Sequence, residues 1–156
     1  MNRLYRPVLL VACALLPSFV VGAGADAPPA IESAFFGYAD FDIATTYAWI
    51  EGLPARDPSF ERKIRTTIDA VLTAKGWQLS AGEADIYLRT EARGLAAVSA
   101  GFLRIEAIDG PSKNVAWRCQ ITDVVTGKRE KFMKLLDKTL RKAFKEFPKV
   151  RASKVR

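Results

Sequence analysis

The stretch DPSFERKIRTTIDAVLTAKG, residues 57–76, decides the fold of this chain. Asp57 can accept hydrogen bonds from the free N–H groups of a first helical turn, and Pro58 fits the first helical position, where no N–H is needed. Apolar side chains then recur at helical spacing and form one stripe: Phe60, Ile64, Ile68, Val71 and Leu72. Gly76 can take the left-handed conformation that closes a helix. The stretch therefore predicts an amphipathic helix whose stripe must be buried against other elements.

Strand-like segments lie on both sides of this helix. Residues 33–38 and 46–50 are rich in aromatic and β-branched side chains, and residues 85–91 alternate between apolar and polar. Residues 102–108 and 115–122 flank a turn and predict a hairpin. One alternation of the hairpin is apolar and predicts the core face: Leu103, Ile105, Ala107, Val115, Trp117, Cys119 and Ile121. These segments predict a sheet on which the helix can pack.

The other alternation of the hairpin predicts a wet face. It carries Arg104 and Glu106 on the first strand, and Arg118 and Gln120 on the second. Charged side chains in this arrangement pair across strands more often than they bind a ligand. The pattern therefore favours cross-strand ion pairs over a binding site.

A second amphipathic helix is predicted over residues 128–147, ending before Pro148. Its apolar stripe consists of Phe132, Leu135, Leu136, Leu140, Ala143, Phe144 and Phe147. Its other side is basic and forms a candidate patch for anionic surfaces: Lys131, Lys134, Lys138, Arg141, Lys142 and Lys145. Two interpretations of this patch stay open. It is either a solvated outer face that keeps the protein soluble, or an electrostatic surface for anionic lipid head groups or an acidic partner.

These segments together predict a single α+β domain over residues 33–148. It contains one antiparallel or mixed sheet of about four to five strands, with the two long helices packed on one face. Residues 26–32 predict a linker, and residues 149–156 predict a basic disordered tail. Within the first helix, Ile68 is expected at the centre of the apolar stripe and Thr67 outside it.

The first 25 residues have the three parts of a secretory signal peptide. Residues 1–6 are basic, residues 7–24 contain no charge, and a small-x-small cleavage site ends at Ala25, before Asp26. Cleavage after Ala25 is the leading interpretation. An uncleaved anchor stays open as an alternative, although the apolar run of 18 residues is at the short edge for a membrane span and contains Pro17. Lipidation also stays open, since the sequence LVAC ending at Cys13 matches a lipoprotein cleavage box.

The basic character of the chain belongs to its C-terminal segment. The formal net charge is +7, but residues 26–127 carry −4 and residues 128–156 carry +9. Nucleic acid would fit such a charge, yet the leader exports the chain away from that ligand. The sequence therefore predicts an unknown envelope protein or an anionic membrane surface as the partner, and no nucleic acid.

Catalytic and metal-binding chemistry is scarce in this sequence. It contains no histidine, which removes the commonest general base and the commonest neutral metal ligand. Neither a phosphate-cradling glycine loop nor a Gly-x-Ser-x-Gly elbow is present. Asp40 and Asp42 predict backbone capping in a turn, and Cys119 is expected in the core, where a thiol is inert. A non-enzymatic protein without cofactor or metal is the prediction, and an enzyme using carboxylates or Cys119 is the alternative.

Several of these stretches resemble the bacterial family called domain of unknown function 4136. The matching residues, in chain order, are Phe41-Asp42, Thr46–Trp49, Asp57-Pro58, Ile64-Arg65, Ile68, Lys75–Trp77, Ala84-Asp85, Ala116–Arg118 and Phe147-Pro148. The resemblance covers residues 35–148 and implies a small envelope protein, often a lipoprotein, with no established activity. It supplies no catalytic residues. The chain departs from the family pattern in its leader, where Cys13 lies early in the apolar run.

Export, the scarcity of catalytic groups and this resemblance point to the same class of protein. The sequence predicts a non-enzymatic accessory or binding protein of the bacterial cell envelope, exported to the periplasm. Association with the membrane through an uncleaved leader or a lipid stays open. The ligand and the oligomeric state are not predicted.

Overall fold

The computed structural model of the protein describes residues 29–93, 101–124 and 129–151. The predicted leader, with Cys13 and the Ala25–Asp26 cleavage site, lies outside these residues. The elements in chain order are β1 (Ala30–Phe35), β2 (Thr46–Trp49), α1 (Pro58–Ala74), β3 (Gln78–Leu79), β4 (Ile86–Arg93), β5 (Gly101–Asp109), β6 (Val115–Val124) and α2 (Arg129–Ala143). The predicted α+β class is confirmed.

The strands form one mixed sheet in the order β1-β6-β5-β4-β2-β3. The pairs β1–β6, β6–β5 and β5–β4 are antiparallel, whereas β2 runs parallel to both β4 and β3. The sheet has six strands, and the prediction of four to five was too low. The strand that was missed, β3, has two residues, both exposed, so it offers no alternation from which a strand could be recognised.

The helix α1 has the ends that the sequence predicts. The backbone N–H of Ser59 donates to the Asp57 carboxylate over 2.8 Å, and Gly76 has a φ of +90° just beyond the helix. Four residues of the predicted stripe are buried: Phe60, Ile64, Ile68 and Leu72. The expectation for Thr67 was wrong, because this side chain is buried and its hydroxyl donates to Asp137 of α2 over 3.0 Å.

The helix α2 packs beside α1 on the same face of the sheet. The rings of Phe60 and Phe132 join the two helices at a centroid distance of 4.5 Å, and the ring of Phe144 lies 5.0 Å from that of Trp117 in β6.

One hydrophobic cluster joins both helices to the inner face of β2, β4, β5 and β6. It includes six of the seven side chains predicted for the core side of the hairpin, among them Cys119. The prediction was wrong for Val115, which lies outside the cluster, because the β5–β6 register shifts between Ala107 and Ile108 and Val115 pairs with Ile108 beyond that shift.

The chain after α2 is fastened to the end of α1. The Lys75 ammonium donates to the carbonyl oxygens of Lys145 and Phe147 over 3.0 and 2.6 Å, and the Trp77 indole N–H donates to Pro148 over 2.9 Å. Val150, within the predicted tail, donates its backbone N–H to Lys75 and packs against the core. The Lys75–Trp77 segment that follows α1 therefore holds the end of the domain.

Candidate functional site

The face of the sheet opposite the helices carries a groove lined by four arginines and three glutamates, one of which, Glu51, lies on the chain after β2. We call it the arginine groove and define it by Arg89, Glu91, Arg93, Arg104, Glu106 and Arg118. Its members come from three adjacent strands, β4, β5 and β6. The strand register creates it, because Glu106 lies opposite Arg89 on one side and Arg118 on the other, while Arg104 lies opposite Glu91.

Glu106 is the centre of the first ion-pair cluster. Its carboxylate accepts from Nε of Arg118 over 2.8 Å and from both Nε and Nη2 of Arg89, the former over 3.1 Å. Burial works to raise the pKa of Glu106, whose side chain is only 7% exposed, but the hydrogen bonds and charges of the two arginines outweigh it. The pKa of Glu106 therefore lies below its ordinary value, and the carboxylate is ionised at neutral pH.

Glu91 is the centre of the second cluster. Its carboxylate accepts from Nη1 of Arg104 over 3.0 Å and pairs with Nη2 of Arg93 over 2.6 Å. Arg93 is the most exposed of the four arginines, with 70% of its side chain accessible, and Arg104 the least, with 34%. Two cations thus flank each of these two carboxylates, and with Glu51 the seven charged groups that line the groove, four arginines and three glutamates, carry a formal net charge of +1.

The chain after β2 forms one wall of the groove. The backbone N–H of Leu53 donates to Thr90 over 2.9 Å, and the N–H of Ala92 donates back to Leu53 over 2.8 Å. Gly52 makes this approach possible, since a Cβ at this position would lie 2.2 Å from the Thr90 carbonyl oxygen. The groove beside this wall has a volume of about 680 Å³, within the range of small-molecule sites.

Aromatic rings support two of the arginines. The guanidinium carbon of Arg104 lies 5.1 Å from the centroid of the Phe102 ring, and that of Arg118 lies 5.5 Å from the Phe36 ring. Stacking of this kind fixes the plane of a guanidinium group. Together with the ion pairs, the rings hold the N–H donors in place, so a ligand would not have to order them.

The predicted basic patch lies on the far side of the molecule, on α2. The structure places all six side chains at the surface: Lys131, Lys134, Lys138, Arg141, Lys142 and Lys145. Lys134 pairs with Glu130 and Arg141 with Asp137, each over 2.8 Å. No ion pair with any described residue involves the other four. The six are brought together on one helix, and Lys134 also lines an open pocket between α2 and Lys63 of α1. Among the described residues, no aromatic ring lies under any of these six cations, unlike Arg104 and Arg118 of the arginine groove.

The catalytic alternatives, Cys119 and the carboxylates of Asp40 and Asp42, lie in different surroundings. Burial raises the pKa of the Cys119 thiol to about 12, and no base contacts it in the described part of the chain. Asp40 caps its turn, as its carboxylate accepts from the N–H of Asp42 over 3.0 Å.

Across residues 29–93, 101–124 and 129–151, no group of three or more His, Cys, Asp or Glu could hold a metal ion. In the same ranges, no helix has the length and apolar character needed to cross a membrane.

Sequence reasoning found half of the arginine groove. It placed Arg104, Glu106 and Arg118 on one wet face and favoured ion pairs among them, and the structure contains such pairs. It missed that Arg89 and Arg93 of β4 complete the same surface. The available signal was the polar alternation of residues 85–91, but an alternation does not tell which strand lies next to which.

Solved structures share this fold at low sequence identity. A PelC dodecamer from Paraburkholderia phytofirmans is 12% identical, with a TM-score of 0.60 over 79% of this chain and 99% of that chain. A DUF4136 family protein from Bacteroides thetaiotaomicron is 13% identical, with a TM-score of 0.60 over 76% and 95%. A PDZ domain protein from Parabacteroides distasonis is 13% identical, with a TM-score of 0.60 over 78% of this chain but 36% of that one.

The predicted resemblance is confirmed at the level of the fold by the DUF4136 structure. No protein-family model matches the sequence, and no curated protein matches it. None of the three solved neighbours has an enzyme name.

Proposed function

We propose that the protein is a non-enzymatic binding protein of the bacterial cell envelope and that the arginine groove binds an anionic partner. The observation that carries this proposal is the fixed set of guanidinium donors around the groove. Each guanidinium has five N–H groups, and the glutamates use only some of them. The remaining donors suit carboxylate or phosphate oxygens, which arginine binds in a planar, bidentate way.

The chemistry of the groove supports binding over catalysis. A general acid or base works best with a pKa near the working pH, but the arginines hold the pKa of Glu106 below its ordinary value. Cys119 lies in the core on the other face of the sheet, away from the groove. The sequence supplies no histidine to replace either group.

The envelope location is supported by the leader pattern and by the family resemblance. Mass spectrometry of the mature protein tests it, and we expect a chain that begins at Asp26. A chain with an acylated Cys13 would be a lipoprotein, and a chain that retains Met1 would be membrane-anchored or unprocessed. Either result would contradict release into the periplasm.

A titration of the purified protein with citrate, a small tricarboxylate, tests the groove. Calorimetry should detect binding that weakens as salt rises, because exposed charges are screened. Arg104→Gln should lower the affinity about 10- to 100-fold, since a hydrogen bond to a charged group contributes roughly 1.5–3 kcal/mol. Lys138→Gln on α2 removes the same charge elsewhere and is the matched control. Equal weakening by both variants, or no binding of citrate, would contradict a specific groove.

A second candidate function is attraction of α2 to anionic lipid head groups. It is favoured because all six basic side chains are exposed, while the apolar stripe of α2 is buried in the core. Surface binding without insertion follows, with each basic residue contributing about 1 kcal/mol near an anionic membrane.

Vesicle co-sedimentation with neutral and anionic lipids separates the two functions. The changes Lys131→Gln, Lys138→Gln and Lys142→Gln together spare the two ion pairs within α2 and the pair of Asp137 with Lys63, and they should abolish any preference for anionic vesicles. Arg104→Gln in the groove should leave that preference intact. A wild-type protein that ignores anionic vesicles even at low salt would eliminate the lipid-binding function.

A further inference from the structure

An exposed acidic turn lies at the opposite end of β2 from the arginine groove. We call residues 38–43 the acidic turn; it contains Asp40 and Asp42, flanked by Tyr38 and Ile43. The two flanking side chains are 56% and 76% exposed, and Ile43 is the most exposed large apolar side chain of the described residues. Apolar side chains grouped at the surface beside charges are typical of an interaction site.

The acidic turn is held in one shape by the core beneath it. The ring of Phe41 packs against Phe147 at 5.6 Å and against Trp77 at 6.4 Å. Two hydrogen bonds close the backbone of the acidic turn. The N–H of Ala44 donates to the carbonyl oxygen of Asp40 over 3.2 Å, and the N–H of Asp42 donates to the Asp40 carboxylate over 3.0 Å. A rigid projection loses little conformational entropy when a partner binds it.

The carboxylates of the turn remain available. Asp42 pairs with Arg151 over 3.2 Å, but both side chains are largely exposed, and such a pair contributes little. Asp40 uses one carboxylate oxygen for its cap. The turn therefore presents negative charge next to apolar surface, and the arginine groove presents positive charge next to Leu53, which is 54% exposed.

The topology keeps these complementary surfaces apart within one molecule. The turn leads directly into β2 at Thr46, and the groove wall at Gly52 and Leu53 follows the other end of that strand. β4 runs parallel to β2, and its far end carries Arg93. Each copy thus offers a groove at one end and a turn at the other, the arrangement that gives heterologous, head-to-tail contacts.

We infer that the anionic partner of the arginine groove is the acidic turn of a second copy of this chain, so that copies associate head to tail. This inference rests on the proposed function of the groove. Asp40 and Asp42 supply the oxyanions for the arginines, while Tyr38 and Ile43 cover Leu53. Because the groove is small compared with a standard interface, the association is weak and depends on concentration.

Sedimentation velocity of the purified protein tests the association, from about 10 μM to about 1 mM, the weak end of specific binding. The wild type should shift to larger species with concentration and return to monomer at high salt. The turn variant, with Asp42→Lys and Ile43→Ser, keeps the Asp40 cap and should stay monomeric. The groove variant, with Arg93→Gln and Arg104→Gln, should also stay monomeric.

The decisive sample is an equal mixture of the two variants. The intact groove of the turn variant can receive the intact turn of the groove variant, so the mixture should form dimers that do not grow further. A two-fold dimer using one patch twice would not give this result. Citrate should dissociate the wild-type assembly, since it competes for the same guanidinium groups, and this measurement needs no variant.

Three results would overturn the inference: a wild type that is monomeric at about 1 mM and low salt, variants that associate as the wild type does, or an assembly that citrate leaves intact. Its failure can be told from failure of the proposed function. A turn variant that binds citrate as the wild type does supports the groove as an anion site, whether or not copies associate. Loss of citrate binding in the wild type contradicts both.

Discussion

The two faces of the sheet are built from the same strands but are stabilised in different ways. Under the helices, β5 and β6 contribute Ile105, Trp117 and Cys119, all with 0% exposure, to one apolar cluster. On the open face the alternate residues of those strands are Arg104, Glu106 and Arg118. One face buries apolar area, and the other matches charges across strands.

This difference has a consequence for how each face tolerates change. Burial of apolar area is non-directional, so the covered face requires side chains of the right size. Ion pairs require a partner at a fixed register position, so the open face depends on how the strands are aligned. Stability should therefore depend most on the covered face, and binding on the open one.

The reactivity of Cys119 tests the covered face with the largest expected effect. Native protein should react with a thiol reagent at least about a thousandfold more slowly than protein unfolded in urea, because global opening of a small domain costs about 5 kcal/mol or more. Burial raises the pKa of this thiol to about 12, which further suppresses the reactive thiolate. Peptide mapping assigns the label. Native labelling close to the unfolded rate would show that the covered face is open and would revive a nucleophilic role.

Truncation of Ile68 should give the largest loss of stability by a single substitution. Ile68→Ala removes a fully buried side chain at the centre of the α1 stripe and should cost about 2–4 kcal/mol in a urea melt. Thr66→Ala, on the exposed side of the same helix, is the control and should change stability by less than about 0.5 kcal/mol. Thr67→Ala should lie between them, at about 1–2 kcal/mol, since it removes a buried hydroxyl bonded to Asp137. Equal effects of all three would mean that α1 is packed differently.

The covered face was largely predictable because its apolar residues recur at the regular spacing of a helix or a strand. The spacing of Phe60, Ile64 and Ile68 on α1 describes one surface without knowledge of the partner, and so does the apolar alternation within β5 and within β6. Thr67 shows the limit of this reasoning. Its burial depends on Asp137, 70 positions away, and no local pattern of polar residues reveals such a contact.

Removal of the central carboxylate tests the open face. Glu106→Gln should lower the free energy of unfolding by about 1–3 kcal/mol, because a buried acceptor of charged hydrogen bonds is lost. The remaining arginines are more than 40% exposed and can be hydrated, which keeps the loss below that of Ile68→Ala. Glu91→Gln, at a carboxylate that is 19% exposed, is the comparison and should cost less. A Glu106 variant as stable as the wild type would mean that the ion pairs serve binding alone.

The arginine groove could be predicted only in part, because its assembly depends on register. The register between β5 and β6 shifts twice, between Gly101 and Leu103 and between Ala107 and Ile108. No alternation of apolar residues reveals such irregularities. The close approach of Gly52 to β4 likewise follows from the tertiary fold and not from a local motif.

The smallest predicted effect concerns Asp137 and tests whether charge also contributes to stability in the helix layer that covers the sheet. Asp137 of α2 binds Arg141 over 2.8 Å and Lys63 of α1 over 2.7 Å. Hydrogen bonds from Arg141 and then from Lys63 lower its pKa from 3.8 to about 2, against the effect of burial. A carboxyl whose pKa is depressed on folding contributes stability above its unfolded pKa and loses that contribution as the pH falls through its folded pKa.

Asp137→Asn should therefore cost about 1 kcal/mol at pH 6, where partial exposure of the cations limits the gain. The difference between variant and wild type should shrink below about pH 4 and vanish only below about pH 2, where Asp137 is protonated in the folded state as well. Urea melts at several pH values measure it, with Glu130→Gln at the exposed pair on the same helix as a control that should not change stability. If the loss of stability caused by Asp137→Asn does not depend on pH, Asp137 stabilises the protein through its hydrogen bond with Thr67 and not through its charge. Ion pairs would then contribute to stability only on the open face.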